Sequence, residues 1–247
     1  MDTGYYSMNL EKLRICYTTR ALGSFTFARA RREDVLANYR RLEERAGIAL
    51  DRIARAHLDN GLKVVRVTGE HGGRGVLYEP GPLMKVDALY TNVPDLYIGM
   101  CTADCFALTL HDRVRQVVGM AHCGWRGIVG RLEQKLLAAM ARDFGTRPGD
   151  VVAVIGPGIQ SCCYDQQDDG LRNAFAEYRH LNLIQELENG EYTIDIALAL
   201  RYNLARLGIR EVVDTRVCTG CNPEFFSARK EGFATGRMLN LAAILSK

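Results

Sequence analysis

Within "MCTADCFALTLHDRVRQVVGMAHCGWRG" (Met100 to Gly127), Cys105 and His122 stand at the far ends of two strand-like runs, "CFALTL" and "QVVGMAH", joined by "HDRVR". A hairpin symmetric about Arg113 and Val114 sets Cys105 directly opposite His122, with Cβ atoms about 4.5–5.5 Å apart on one face. A thiolate and an imidazole at that spacing can share a metal ion through bonds of about 2.0–2.3 Å. They can equally hydrogen-bond as nucleophile and base. A buried cysteine beside a hydrogen-bonded histidine has the same pattern, because free cysteine is commonly buried. Spacing alone leaves all three readings open.

Other residues could serve such a centre. Arg20 follows the strand-like "ICYTT", and Arg229 follows "FFSA". Each reads either as a grip for an anion such as phosphate or as a surface charge. Of the remaining histidines, His57 reads as a helix-end residue and His71 as a loop residue, while His111 and His180 are expected on the surface. Cys162-Cys163 and Cys218…Cys221 lack the spacing of paired zinc knuckles, so no separate four-cysteine site is expected.

Eight cysteines in 247 residues raise the question of disulfides. The leading "MDTGYYSMNLEKLR" has no apolar core of a signal peptide, and no window approaches 18 apolar residues. The expectation is a cytoplasmic protein with eight reduced thiols and no membrane partner. With 32 Lys+Arg against 29 Asp+Glu and no basic run longer than two, nucleic acid is not an expected partner either.

The elements that must position these residues alternate between helical and strand-like patterns, an α/β or α+β signature. "REDVLANYRRLEERAG" puts Val35, Tyr39, Leu42 and Ala46 on one face and stops at Gly47. "GIVGRLEQKLLAAMARDFG" repeats this with Ile128, Leu132, Leu136 and Met140. "DIALALRYNLARLG" does so with Ile196, Leu200, Leu204 and Leu207. Strands are predicted in "LKVVRVT", "LYIGM", "FALTL", "QVVGMAH", "VVAVIG" and "EVVDTRV". "GGRGVLYEPGP" reads as a surface loop, so residues 1–247 are taken as one domain.

"TADC" followed by "AHCGWRG" resembles the signature of the polyphenol-oxidase/laccase-domain family of purine nucleoside enzymes, also described as multicopper-oxidase-like. The likeness runs along nearly the whole chain, through "TTRALGS", "DALYTNVP", "GPGIQSCCYD" and "CTGCNPEFFSARKEGFATGRM". It implies a sandwich of mixed, largely antiparallel sheets flanked by helices, like that of bacterial toxin deamidases. It also implies phosphorolysis of purine nucleosides (adenosine, inosine, methylthioadenosine), with adenosine deamination as a second activity. The partners would be small purine nucleosides and phosphate, with Arg20, Asn60 and Arg229 lining the substrate site.

The family is expected to hold zinc, or copper, through a histidine of "QxHG", the cysteine of "ADC" and the histidine of "HAGWRG". The last two fall on Cys105 and His122. In the ungapped register "LDNG" stands where "QxHG" belongs, so Asn60 replaces the first histidine and Gly61 matches the glycine. Asparagine is a poor zinc ligand. A metal is therefore expected to bind weakly or not at all, unless His57, or His71 in "GEHGGRG", supplies the third ligand. The rival readings are a metal-independent Cys–His hydrolase or deamidase and a non-catalytic nucleoside-binding protein. Copper oxidation of phenols is disfavoured, because multicopper sites need more histidines than five.

Overall fold

The protein, a computed structural model, is described over residues 3–28, 30–167 and 169–246. Two large sheets stack face to face. One has five strands in the order Tyr5–Leu10, Leu13–Thr18, Met238–Ile244, Tyr97–Thr102, Ile53–Arg55. The other has six, in the order Glu211–Asp214, Val151–Ile155, Phe106–Asp112, Val117–Cys123, Ala88–Thr91, Val64–Arg66. Pairing is mostly antiparallel, and the parallel pairs lie at sheet edges, as expected for a mixed sandwich.

Between the sheets, Ile15, Ile98, Met100 and Ala242 meet Leu89, Ala107, Val118, Met120 and Val154. The outer face of the six-stranded sheet is covered by the helices Leu132–Phe144 and Ile196–Arg206, through Leu136, Met140, Leu200 and Leu204. The helix Arg32–Ala46 covers the five-stranded sheet with Val35, Tyr39 and Leu42, and ends at Gly47 in the left-handed region, φ 66°. The layers run helix, sheet, sheet, helix.

The hairpin carrying Cys105 and His122 forms, but in a different register. Ala107, not Cys105, stands opposite His122, and Asp112 pairs with Val117. The turn is a four-residue loop because Asp112 Oδ1 accepts from the backbone N–H groups of Val114 and Arg115, and Gln116 takes a left-handed φ of 53°. The shift is two residues. Since strand side chains alternate, it leaves Cys105 and His122 on the same face and makes them diagonal neighbours.

Two further expectations are corrected. The predicted helix over "GIVGRLEQKLLAAMARDFG" is two, Trp125–Val129 and Leu132–Phe144, broken where Arg131 is left-handed at φ 57°. His111 is not at the surface: it lies within Phe106–Asp112, 1% exposed, with neither ring nitrogen hydrogen-bonded. Burial lowers its pKa and holds it neutral.

Candidate functional site

His122 is the penultimate residue of the strand Val117–Cys123, two places after Met120, which packs between the sheets. Alternation therefore puts its imidazole on the inter-sheet face, at the end of that layer. Its ring is only 7% exposed and donates through Nδ1 to Asp87 Oδ1 at 2.9 Å. Asp87 itself is fully buried just before Ala88–Thr91, and its Oδ2 accepts the backbone N–H groups of Asp59, at 3.2 Å, and Gly61, at 2.9 Å. Three donors thus converge on one carboxylate. Burial works against the charge of Asp87, but the His122, Gly61 and Asp59 hydrogen bonds outweigh it and lower the pKa.

Cys105 closes the line on the other side of the ring. It hydrogen-bonds His122, and a Cβ placed on Gly124 would lie 2.7 Å from Cys105 Sγ and 3.9 Å from His122 Nε2. Burial disfavours an imidazolium, yet the charge of a neighbouring Cys105 thiolate, the Asp87 hydrogen bond and the Cys105 hydrogen bond together push the His122 pKa up to about 10. The order is carboxylate, imidazole, thiol. That is the arrangement of an oriented base beside a nucleophile.

Cys105 follows a strained residue. Asp104 has φ 84°, outside the range most side chains prefer. It is held there by three contacts: Thr219 Oγ1 donates to its Oδ1 and the Arg229 backbone N–H to its Oδ2, each at 2.7 Å, and its carbonyl accepts from Ile159. The Arg229 guanidinium donates to the Asp165 carbonyl at 2.8 Å and lies 4.9 Å from the Tyr164 ring centroid. Burial, then the nearby Cys105 charge, pushes Tyr164 up to about 12. Tyr164 therefore lies near the thiol, with Arg229 over its ring. No ion pair to the Arg229 guanidinium occurs among the described residues, so it brings uncompensated positive charge.

The remaining expected residues are distributed less evenly. Asn60 is exposed, left-handed at φ 55°, and lies between the two residues whose N–H groups bind Asp87, which puts its backbone beside the site. Arg20 is an anion grip already filled: it pairs with Glu231, donates to the Phe225 carbonyl at 2.7 Å and stacks 4.8 Å from the Phe226 centroid. His57 is exposed, its backbone pairing with the segment around Met84, and His71 Nδ1 accepts from Thr68 at 3.1 Å in a short 3-10 turn.

The His57 backbone bonds Leu83 and Val86, in the segment that leads into Asp87, whereas the His71 ring is engaged with Thr68. Among the described residues, no group of three His, Cys, Asp or Glu ligand atoms within 4.8 Å of one another includes Cys105 and His122. Cys105 and His122 would supply two ligands of a three-ligand zinc or copper site, and His57 is the candidate for the third. Cavities of about 320 Å³, lined by Tyr6, Tyr17, Pro157, Val217 and Phe225 among others, and of about 210 Å³, beside Arg131 and Glu133, both lie away from Cys105 and His122.

Sequence reasoning did not single out Asp87, Asp104 or Tyr164. All three had a signal, since each lies inside a run, "DALYTNVP", "TADC" or "GPGIQSCCYD", that carries the family likeness. The four-cysteine site set aside from spacing is a correction of another kind: Cys162, Cys163, Cys218 and Cys221 have Sγ atoms all within 4.8 Å of one another.

Residues 18–245 match the model of the family described as multi-copper polyphenol oxidoreductase laccase. Over 214 residues the chain is 31% identical to purine nucleoside phosphorylase YlmD of Geobacillus stearothermophilus, covering 84% of this chain and 78% of that protein. It is 29% identical over 196 residues to adenosine deaminase RL5 from an unknown prokaryotic organism, covering 77% and 74%. The crystal structure of YlmD from Geobacillus stearothermophilus superposes with a TM-score of 0.89 at 25% identity, over 100% of this chain and 98% of that one.

Proposed function

Because this chain belongs to the multi-copper polyphenol oxidoreductase laccase family, we propose that it is a purine nucleoside phosphorylase acting on adenosine, inosine and methylthioadenosine, with adenosine deamination as a second activity. The observation that carries the reading is the buried His122 ring, hydrogen-bonded to Asp87 at 2.9 Å with Cys105 beside it, while Arg229 bonds the adjacent Asp104 through its backbone N–H. Phosphorolysis needs positive charge for phosphate and a proton for the departing base. A phosphate oxygen attacks ribose C1′, and the C1′–N9 bond breaks with its electron pair going to the purine. A proton reaches the base, from His122 Nε2 or from the phosphate, giving ribose 1-phosphate and free purine. Arg229 would orient the phosphate, and Asp87 would keep His122 charged and aligned.

One observation favours a second reading. The Asp87–His122–Cys105 line is also that of a Cys–His hydrolase, in which the thiolate attacks a carbonyl or amidine carbon and His122 serves the leaving group. Incubating the protein with adenosine and phosphate, then resolving products, separates the two. Adenine with stoichiometric ribose 1-phosphate is the expected result. Inosine as the main product would make deamination the principal activity, and no turnover of any purine nucleoside would overturn the phosphorylase in favour of the hydrolase.

A further inference from the structure

Away from Cys105 and His122, two loops converge on a pocket of sulfur. The loop after Val151–Ile155 carries Cys162 and Cys163 in a turn, with the Cys163 N–H bonded to the Gln160 carbonyl. The loop after Glu211–Asp214 carries Cys218 and Cys221, and the two loops are joined by an isolated bridge between Gly158 and Cys218. The turn directs both adjacent thiols at one partner: Cys221 Sγ lies 3.3 Å from Cys162 Sγ and 3.2 Å from Cys163 Sγ.

Four thiolates around a tetrahedral zinc ion, at about 2.3 Å each, would stand about 3.8 Å apart. The four Sγ atoms here need to move by well under the length of a bond to reach that geometry. Two further features point to a ligand. The Gln160 backbone N–H donates to Cys218 Sγ at 3.5 Å, a contact that stabilises a thiolate. At Gly220, a Cβ would come 2.7 Å from Cys163 Cβ, 3.0 Å from its Sγ and 3.7 Å from Cys218 Sγ, so the bare glycine leaves room for the sulfurs to converge.

We propose that Cys162, Cys163, Cys218 and Cys221 form a structural site for one thiophilic divalent cation, of which zinc is the type. All four cysteines are free in the structure. Two are buried against Ile159 and Tyr164, and two are exposed, which gives the ion a path of entry. The site braces the candidate active centre without joining it. Thr219, inside the Cys218–Cys221 loop, bonds Asp104 beside Cys105, and Tyr164 follows Cys163 directly.

The test starts from full-length protein purified under reductant without chelator. Native mass spectrometry is expected to find one zinc per chain, kept in Cys105→Ser/His122→Ala and lost in Cys162→Ser/Cys221→Ser, which alters only the two exposed thiols. Cobalt added to the chelator-stripped wild type should give tetrahedral d–d bands with thiolate charge transfer of four-sulfur intensity, a readout that needs no variant to fold. Zinc that leaves with Cys105 and His122 and stays in the cysteine variant would overturn the proposal. So would wild type that binds neither ion, or freshly reduced protein that forms a Cys162–Cys221 or Cys163–Cys221 disulfide in preference to taking up metal.

Discussion

Asp87 and His122, 35 residues apart, meet through a 2.9 Å hydrogen bond between two buried side chains, and the same carboxylate clamps the Asp59–Gly61 loop. Orientation of the imidazole and placement of that loop are therefore one structural event. Asp87→Asn keeps the shape but removes the charge. The expected outcome is a fall in kcat/KM for phosphorolysis of about 10²-fold or more, with the His122 ring titrating well below 10 by NMR. An unchanged His122 titration would mean that Asp87 does not hold the imidazolium.

The raised His122 pKa makes stability depend on alkaline pH. Its folded value, about 10, lies above its ordinary 6.5, so its contribution is complete below 6.5 and is lost as pH rises through 10. Asp87 is depressed below 3.8, so its contribution is present above that value and is lost as pH falls. Burial raises Cys16 and Cys123 from 9.0, which adds a further loss of stability above pH 9. Urea midpoints measured from pH 7 to 9 should fall in the wild type and stay flatter in His122→Gln.

Gly124 has an ordinary φ of −74°, so alanine there strains nothing in the backbone. Its new Cβ would instead press on Cys105 Sγ from 2.7 Å. Displacing a reacting group by about 1 Å can cost about 10²-fold in rate, while overpacking one site costs about 1–3 kcal/mol. Gly124→Ala should thus lose activity out of proportion to its change in denaturation midpoint. Full activity would place Cys105 outside the chemistry.

Asn60 occupies the left-handed region, where Asn, Asp and His are the side chains most readily accommodated. Asn60→His should fold normally and add an imidazole beside the Asp87 clamp. With Cys105 and His122 it would complete three protein ligands, strengthening zinc binding by at least about 10–100-fold, or about 1.4–2.7 kcal/mol. Calorimetric titration of the Cys162→Ser/Cys221→Ser background reads this equivalent alone. No gain would show that the Asn60 side chain does not reach the pair.

The turn-like "HDRVR" between "CFALTL" and "QVVGMAH" marked a hairpin, and the apolar spacing of "REDVLANYRRLEERAG" marked a helix ending at Gly47. These are local signals, each written within about twenty consecutive residues. The last strand, Met238–Ile244, was missed because "MLNLAAI" is rich in helix formers and buried throughout, so it carries no alternation; its place between two neighbours overrides its propensity. The hairpin register depended on how Asp112 caps its turn, a hydrogen-bond choice that residue spacing does not encode. Asp87 as the partner of His122, and Cys221 as the partner of thiols 58 and 59 residues away, depended on which loops the stacked sheets bring together. Contacts of that separation form only when burial elsewhere in the sandwich offsets the entropy of closing the loops, and only the tertiary structure decides which loops those are.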